Sequence, residues 1–288
     1  MVKLSFINMK GGVGKTTIAG LVGEYMASYY GERTLLIDLD PQINLTLSFI
    51  SEEAWSESNQ QDITLTRLFE DYIEKRTLFD FDKAVFRNVG KLREKRGTLD
   101  LLPCSPSLSL VQEKLYEFIK HPEGRETVEE ILIRDIGNKL KQYRNVIIDS
   151  PPNLGLVSRN GLRLSDYFLI PVIPNYLSTY GIPELLREIR ETYQINKHSL
   201  GIIISRYVSN NNTHKKYASN LELWTNTKGF PEVLRPFIKN STVLEREVEI
   251  RKDSHWVDGP TSGQLLGYGD IRNEIMELTG VIIERARK

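Results

Sequence analysis

The residues best suited to chemistry lie in one octapeptide near the start of the chain, Lys10-Gly11-Gly12-Val13-Gly14-Lys15-Thr16-Thr17. Three residues without side chains let successive backbone N–H groups curl tightly around a polyanion. Lys15 adds a flexible ammonium for the β and γ phosphates of a nucleotide, and Thr16 adds a hydroxyl for Mg²⁺. A helix starting there contributes the positive end of its dipole. The expected ligand is therefore ATP with Mg²⁺, bound by Gly11, Gly12, Val13, Gly14, Lys15, Thr16 and Thr17. Three carboxylates stand at the ends of apolar runs: Asp38 and Asp40 after Thr34-Leu35-Leu36-Ile37, and Asp149 after Val146-Ile147-Ile148. Asp149 occupies the position from which an acidic residue holds Mg²⁺, usually through water. Asp38 and Asp40, two residues apart, face one cleft if extended geometry persists.

Such residues need a frame. Lys3 to Asn8 reads as a strand, the glycines as a loop, and Ile18, Leu21, Val22, Tyr25 and Tyr29 as one face of a helix that Gly31 closes. Thr34 to Ile37 is then a second buried strand, so the first 40 residues form a βαβ unit. Val146–Ile148, Phe168–Val172 and Gly201–Ile204 are apolar enough to be buried on both faces, with a helix over Glu184–Tyr193 between the last two. The expected fold class is α/β, a doubly wound, mostly parallel sheet flanked by helices. Ligands of such sheets bind beyond the strands' carboxyl ends, where Asn8, Asp38 and Asp149 fall. A length of 288 residues is compatible with a single domain over 1–288. Within it, 51–97 reads as a peripheral excursion, with a polar start at Ser51–Gln61, a helix over Leu65–Lys75 and a solvated basic run at Lys91–Arg96. Thr261–Gly269 reads as a loop before a last amphipathic helix carrying Ile271, Ile275, Leu278 and Ile282.

Composition sets further bounds. No secretory signal fits ahead of the glycine loop, and no run approaches the ~20 apolar residues of a membrane span. A single cysteine, Cys104, allows no internal disulfide and fits a cytoplasmic location. Its expected role is a small core residue. The histidines at 121, 198, 214 and 255 lack zinc-like spacing. With 38 basic and 38 acidic residues the chain has no net charge, so DNA binding requires a local patch.

Lys10 to Thr17 departs from the general phosphate-loop pattern, which wants glycine where Met9 stands, and carries the extra Lys10. In this it resembles the deviant Walker A loop, KGGxGKT[ST], of the ParA/MinD ATPases. Asp38-Leu39-Asp40-Pro41-Gln42-Ile43-Asn44 is similar to the family's D-x-D-P-Q-x-N motif, and Asp149-Ser150-Pro151-Pro152-Asn153-Leu154-Gly155 to its D-x-P-P-[SN]-L-G motif. Leu99–Pro103 and Ser165–Val172 are weaker echoes. The resemblance implies a P-loop ATPase in which Lys10 reaches across a homodimer to the partner's phosphates, sandwiching two ATP molecules. It assigns Lys10, Lys15 and Asp40 to catalysis, Asp40 positioning the attacking water, and Thr16, Asp38 and Asp149 to magnesium, Asp38 in the outer shell. The reverse division between Asp38 and Asp40 is the alternative. Pro151-Pro152 stiffens a switch segment, and Asn240, within Phe237–Ser241, is the candidate adenine contact.

The same resemblance implies a slow ATPase used as a timer: an ATP dimer that binds nonspecific DNA, a cargo-bound adaptor of the ParB or analogous type that stimulates hydrolysis, and a nucleoid-associated, cytoplasmic location. The absence of an amino-terminal helix-turn-helix segment points to a compact partition ATPase for plasmid or chromosome. Positioning of protein cargo such as carboxysomes is the alternative. A MinD-like membrane role is disfavoured, because the tail's apolar positions are expected to dock on the sheet. The basic set available for DNA is Arg206, Lys215, Lys216, Arg235, Lys239, Arg246, Arg251 and Lys252, while Ser209-Asn210-Asn211-Asn212 stands where partition proteins carry an arginine. The nitrogenase iron protein needs two cluster-ligating cysteines and is excluded. An amide-forming synthetase of the same superfamily, and a nucleotide-binding module that never hydrolyses, complete the alternatives.

Overall fold

The computed structural model describes residues 1–90, 96–119, 128–227, 229–241 and 271–288. Its short apolar runs form seven strands: β1 (Val2–Phe6), β2 (Thr34–Asp38), β3 (Leu99–Leu102), β4 (Asn145–Asp149), β5 (Tyr167–Val172), β6 (His198–Ile204) and β7 (Val233–Leu234). They lie in the order β3-β2-β4-β1-β5-β6-β7, and every pairing between them is parallel. All residues of β2 and β4 are buried, as expected of strands covered on both faces.

Alternation along the strands sorts side chains into two layers. Leu4, Leu36, Ile147 and Ile203 face one side and pack against α1 (Lys15–Ser28), α2 (Asn44–Phe49) and the last helix, whose Ile275, Leu278 and Ile282 are buried there. Leu35, Ile37, Val146 and Ile148 face the other side. Segment 51–97 contributes to that second layer. It holds α3 (Glu52–Gln60), α4 (Leu65–Glu74) and α5 (Phe81–Ala84), with Leu65, Phe69 and Phe81 buried. The polar start at Ser51 is a helix rather than irregular chain: Ser51 caps α3 by accepting from Ala54 N at 3.2 Å, and Glu52 and Glu53 complement its dipole. The layer continues through α6 (Leu108–Phe118), α7 (Ile131–Ile136), α8 (Leu156–Leu164), α9 (Tyr176–Arg187) and α10 (Asn212–Trp224), and the chain closes with α11 (Arg272–Ala286). Of the basic run at Lys91–Arg96 only Arg96 is described, and the Thr261–Gly269 loop lies outside the described residues.

From β1 the chain passes to β2 on one side, and later enters β5 on the other, so the strand order reverses at the carboxyl end of β1. That is where doubly wound sheets bind ligands. Asp38 and Asp149 are in-register partners on neighbouring strands, and Phe6 of β1 is Asp149's partner on its other side. The three strand ends named from sequence thus meet at one place.

Candidate nucleotide-binding site

The loop between β1 and α1 is held at both ends. Asn8 donates its amide to Pro171 O at 2.7 Å and accepts Lys10 N at 2.9 Å, tying the loop's start to β5. Ser205, just beyond β6, donates its hydroxyl to Val13 O at 2.7 Å. Gly12 and Gly14 have φ of 73° and 81°, a left-handed conformation that side chains strain. No side chain caps α1 and its first turn holds no acidic residue. Its leading N–H groups and dipole therefore remain available for an anion.

A cavity of about 600 Å³ opens over this loop, lined by Gly11, Gly12, Gly14, Lys15, Thr16 and Thr17. Asp40, Gln42 and Asn44 form a second wall, Pro152 a third, and Ser205, Arg206 and Ile238–Ser241 a fourth. Lys15 is buried and donates to Lys10 O at 3.2 Å. Burial lowers its pKa, against the pull of Asp149 and Asp40. Val13 is buried in the core and serves the loop through its carbonyl rather than lining the cavity. Lys10 is exposed and does not line the cavity of its own chain.

The carboxylates occupy three different environments. Both oxygens of Asp149 are buried and accept no hydrogen bond. Burial drives its pKa well up, reinforced by Asp38, while the neighbouring Thr16 hydroxyl and Lys15 oppose. A buried, orphaned carboxylate beside a threonine hydroxyl suits a divalent cation that takes few protein ligands and keeps several waters. Asp38 is instead saturated, accepting Asp40 N at 3.0 Å, Thr46 N at 2.9 Å and Thr46 Oγ1 at 2.8 Å. It pins the turn between β2 and α2 and does not line the cavity. Burial raises its pKa to about 7, against those bonds. Asp40 does line the cavity, its carboxylate accepting Gln42 N at 3.0 Å. Cys104 is buried beneath this turn, its Sγ 3.2 Å from Asp40 O.

Asn240 faces the same cavity from beyond β7, its N–H on Tyr207 O at 2.9 Å. Ser205 was not legible as a site residue, and Arg206, named from sequence only for DNA, lines the nucleotide cavity instead. Their signal is positional, at the carboxyl end of an apolar strand, and Arg206 has φ 50° and donates to Gly12 O at 3.4 Å. Within the basic set, Arg235 pairs with Glu222 and Lys239 with Glu274, at 2.8 Å for the latter. Lys215 and Lys216 are exposed on α10, and Arg246, Arg251 and Lys252 lie outside the described residues. Among the described residues no helix is long and apolar enough to cross a membrane.

Known proteins place this geometry. A family model described as an AAA domain matches residues 1–202. The sporulation initiation inhibitor protein Soj of Bacillus subtilis is 32% identical over 65% of this chain and 64% of its own length. A virulence plasmid ParA family protein of Chlamydia psittaci is 26% identical over 87% and 86%. Among solved structures, a protein assigned to plasmid partition in Borrelia burgdorferi, bound to AMPPNP, superposes with a TM-score of 0.68 at 20% identity, covering 99% of this chain and 97% of that one. Cobyrinic acid a,c-diamide synthase of Mycobacterium smegmatis, with ADP and magnesium, does so with a TM-score of 0.65 at 25% identity, covering 91% and 97%. The match across more than two thirds of its length, together with relatives of the Soj and ParA type, makes this chain a member of the ParA/MinD family of P-loop partition and positioning ATPases.

Proposed function

We propose that the protein is an ATP-driven switch that dimerises around two nucleotides, binds nonspecific DNA in that state, and is released when a cargo-bound adaptor of the ParB or analogous type stimulates hydrolysis. Plasmid or chromosome is the proposed cargo, and a nucleoid-associated location follows. The observation that carries the dimer is the contrast between the two loop lysines. Lys15 is buried on the wall of its own cavity, whereas Lys10 is exposed and is not among the residues that line it. A cation so placed acts in trans, by the logic of an arginine finger.

The surroundings of the residues support the following roles. The loop N–H groups and Lys15 hold the triphosphate. Asp149 and Thr16 are the fitting ligands for Mg²⁺, which when bound neutralises charge on the β and γ oxygens. Asp40, the strand-end carboxylate that reaches the cavity, orients the attacking water. Asp38 orders the turn that carries Asp40 and belongs at most to an outer magnesium shell. Pro152, on the cavity wall within the stiff Pro151-Pro152 pair, suits a segment whose position follows the γ phosphate. Asn240 and its neighbours form the base-proximal wall.

The discriminating experiment is hydrolysis and sedimentation by Lys10→Ala. ATP binding should survive while ATP-dependent dimerisation is lost. Hydrolysis should fall by about 10²-fold or more, below the ~10³–10⁵ that an arginine finger supplies, because lysine is a point charge. A Lys10→Ala protein that dimerises and hydrolyses like the parent removes the trans role. The diamide synthase likeness favours one other reading, a synthetase that couples ATP to amide formation on a small carboxylate. Fast turnover with neither DNA nor protein partner would favour it.

A further inference from the structure

The chain leaves β4 at Asp149, passes Pro152 on the cavity wall and enters α8 at Leu156. Two local bonds keep this passage tight: Asn153 N donates to Pro151 O at 2.8 Å, and Gly155 N donates to Asn153 Oδ1 at 2.8 Å. The helix has no cap of its own. Gly155 at its N-cap carries no side chain, and its first turn holds no acidic residue. Its leading N–H groups need acceptors, because a buried donor left unpaired is costly. Gln112 of α6, 45 residues earlier, supplies one: its Oε1 accepts Val157 N at 3.2 Å, at the second position of the helix, where a capping oxygen bonds. Val157 is buried, so water gives that N–H little help. Gly155 has φ −65°, open to any residue, and its bareness serves space instead, since a Cβ there would lie 2.5 Å from Gln112 Oε1. The body of α8 is held by other partners. Asn160 donates to Val128 O at 2.8 Å and accepts Leu132 N at 3.2 Å, and Arg159 pairs with Glu129 at 2.7 Å.

We propose that Gln112 is a positioning residue for ATP hydrolysis, whose side-chain oxygen caps α8 from a distant helix and thereby fixes where the segment from Asp149 to Gly155 stands against the phosphates. The proposal rests on the reading above in which that segment carries a magnesium ligand and follows the γ phosphate. Gln112 does not line the cavity, so it acts through the helix and the passage that precedes it. The amide oxygen, and not the amide nitrogen, must face the Val157 N–H. A carboxylate would therefore serve as well, and the helix dipole favours it.

The test is single-turnover hydrolysis of radiolabelled ATP, with calorimetric nucleotide binding and thermal unfolding, on the parent, Gln112→Leu, Gln112→Glu and Asp149→Asn. Gln112→Leu fills much of the space and accepts nothing. Its hydrolysis rate should fall by about tenfold, within the ~10²-fold that a 1 Å misplacement can cost. ATP affinity should stay within about twofold of the parent, because the lost contact positions the reacting groups rather than the bound nucleotide. Gln112→Glu should hydrolyse like the parent. A leucine variant as fast as the parent overturns the proposal, as does a glutamate variant as slow as the leucine one, or a rate loss matched by equal losses of affinity and thermal stability. Asp149→Asn tests the underlying reading separately. If its magnesium dependence is unchanged, the Asp149 assignment fails, while rescue by glutamate still upholds the cap acting through Pro152.

Discussion

Lys15, Asp149 and Asp38 show how one cluster of charge divides its tasks. Lys15 is buried beside Asp149 and Asp40, with an ordered backbone carbonyl as its hydrogen-bond partner. Replacement by alanine removes the cation for the phosphates and leaves the loop's backbone intact. Lys15→Ala should therefore lose ATP binding by at least tenfold, about 1.4 kcal/mol, in a calorimetric titration. An unchanged affinity would mean that the backbone amides alone hold the nucleotide. Asp149→Asn should keep the fold, because neither carboxylate oxygen accepts a hydrogen bond, and should abolish the effect of Mg²⁺ on ATP binding. Asp38 predicts a pH dependence. Its folded-state pKa, raised by burial to about 7, exceeds the ordinary 3.8. Folding therefore takes up a proton, and the associated stability is complete below the unfolded pKa and lost as pH rises through about 7. In denaturant titrations without nucleotide, the parent should lose stability relative to Asp38→Asn between pH 5 and pH 8; parallel profiles would show that Asp38 ionises normally. The placement of the loop and the three aspartates at one edge of the sheet was legible because each stands beside an apolar run that reads as a strand. That of Ser205 and Arg206 was not, because they reach the loop from 192 and 194 residues away, through contacts that no local pattern records.

The elements were legible where burial imposes a simple period. β2 and β4 appear as unbroken apolar runs because both faces are covered, and α11 because Ile275, Leu278 and Ile282 recur on one buried face. α3 was missed because it is polar almost all round, with only Ser58 buried, and is held by its cap and packing rather than by an apolar stripe. β7 has only two residues and no period to read. The position of α11 bears on function. Its apolar face is packed against the layer that holds α1, so it is already occupied and unavailable to a lipid surface. Leu278, fully buried, should cost about 2–5 kcal/mol when truncated to alanine, measured by chemical denaturation. A surface-lying membrane helix would instead lose little stability and much vesicle binding.

The whole molecule joins a phosphate cradle and an exposed second loop lysine, Lys10, on one edge of one sheet. In the proposed switch, nucleotide occupancy and self-association are a single event. With no net charge over the chain, DNA can be held only by a local surface, and Lys215 and Lys216 are exposed on α10. Binding should fall steeply with salt, as phosphate contacts require, and a salt-independent interaction would point to another ligand. The decisive measurement is co-sedimentation with nonspecific duplex DNA in the presence of ATP, ADP or no nucleotide, for the parent and Lys15→Ala. The ATP-bound parent alone should sediment with DNA, and equal binding in every nucleotide state would contradict the switch.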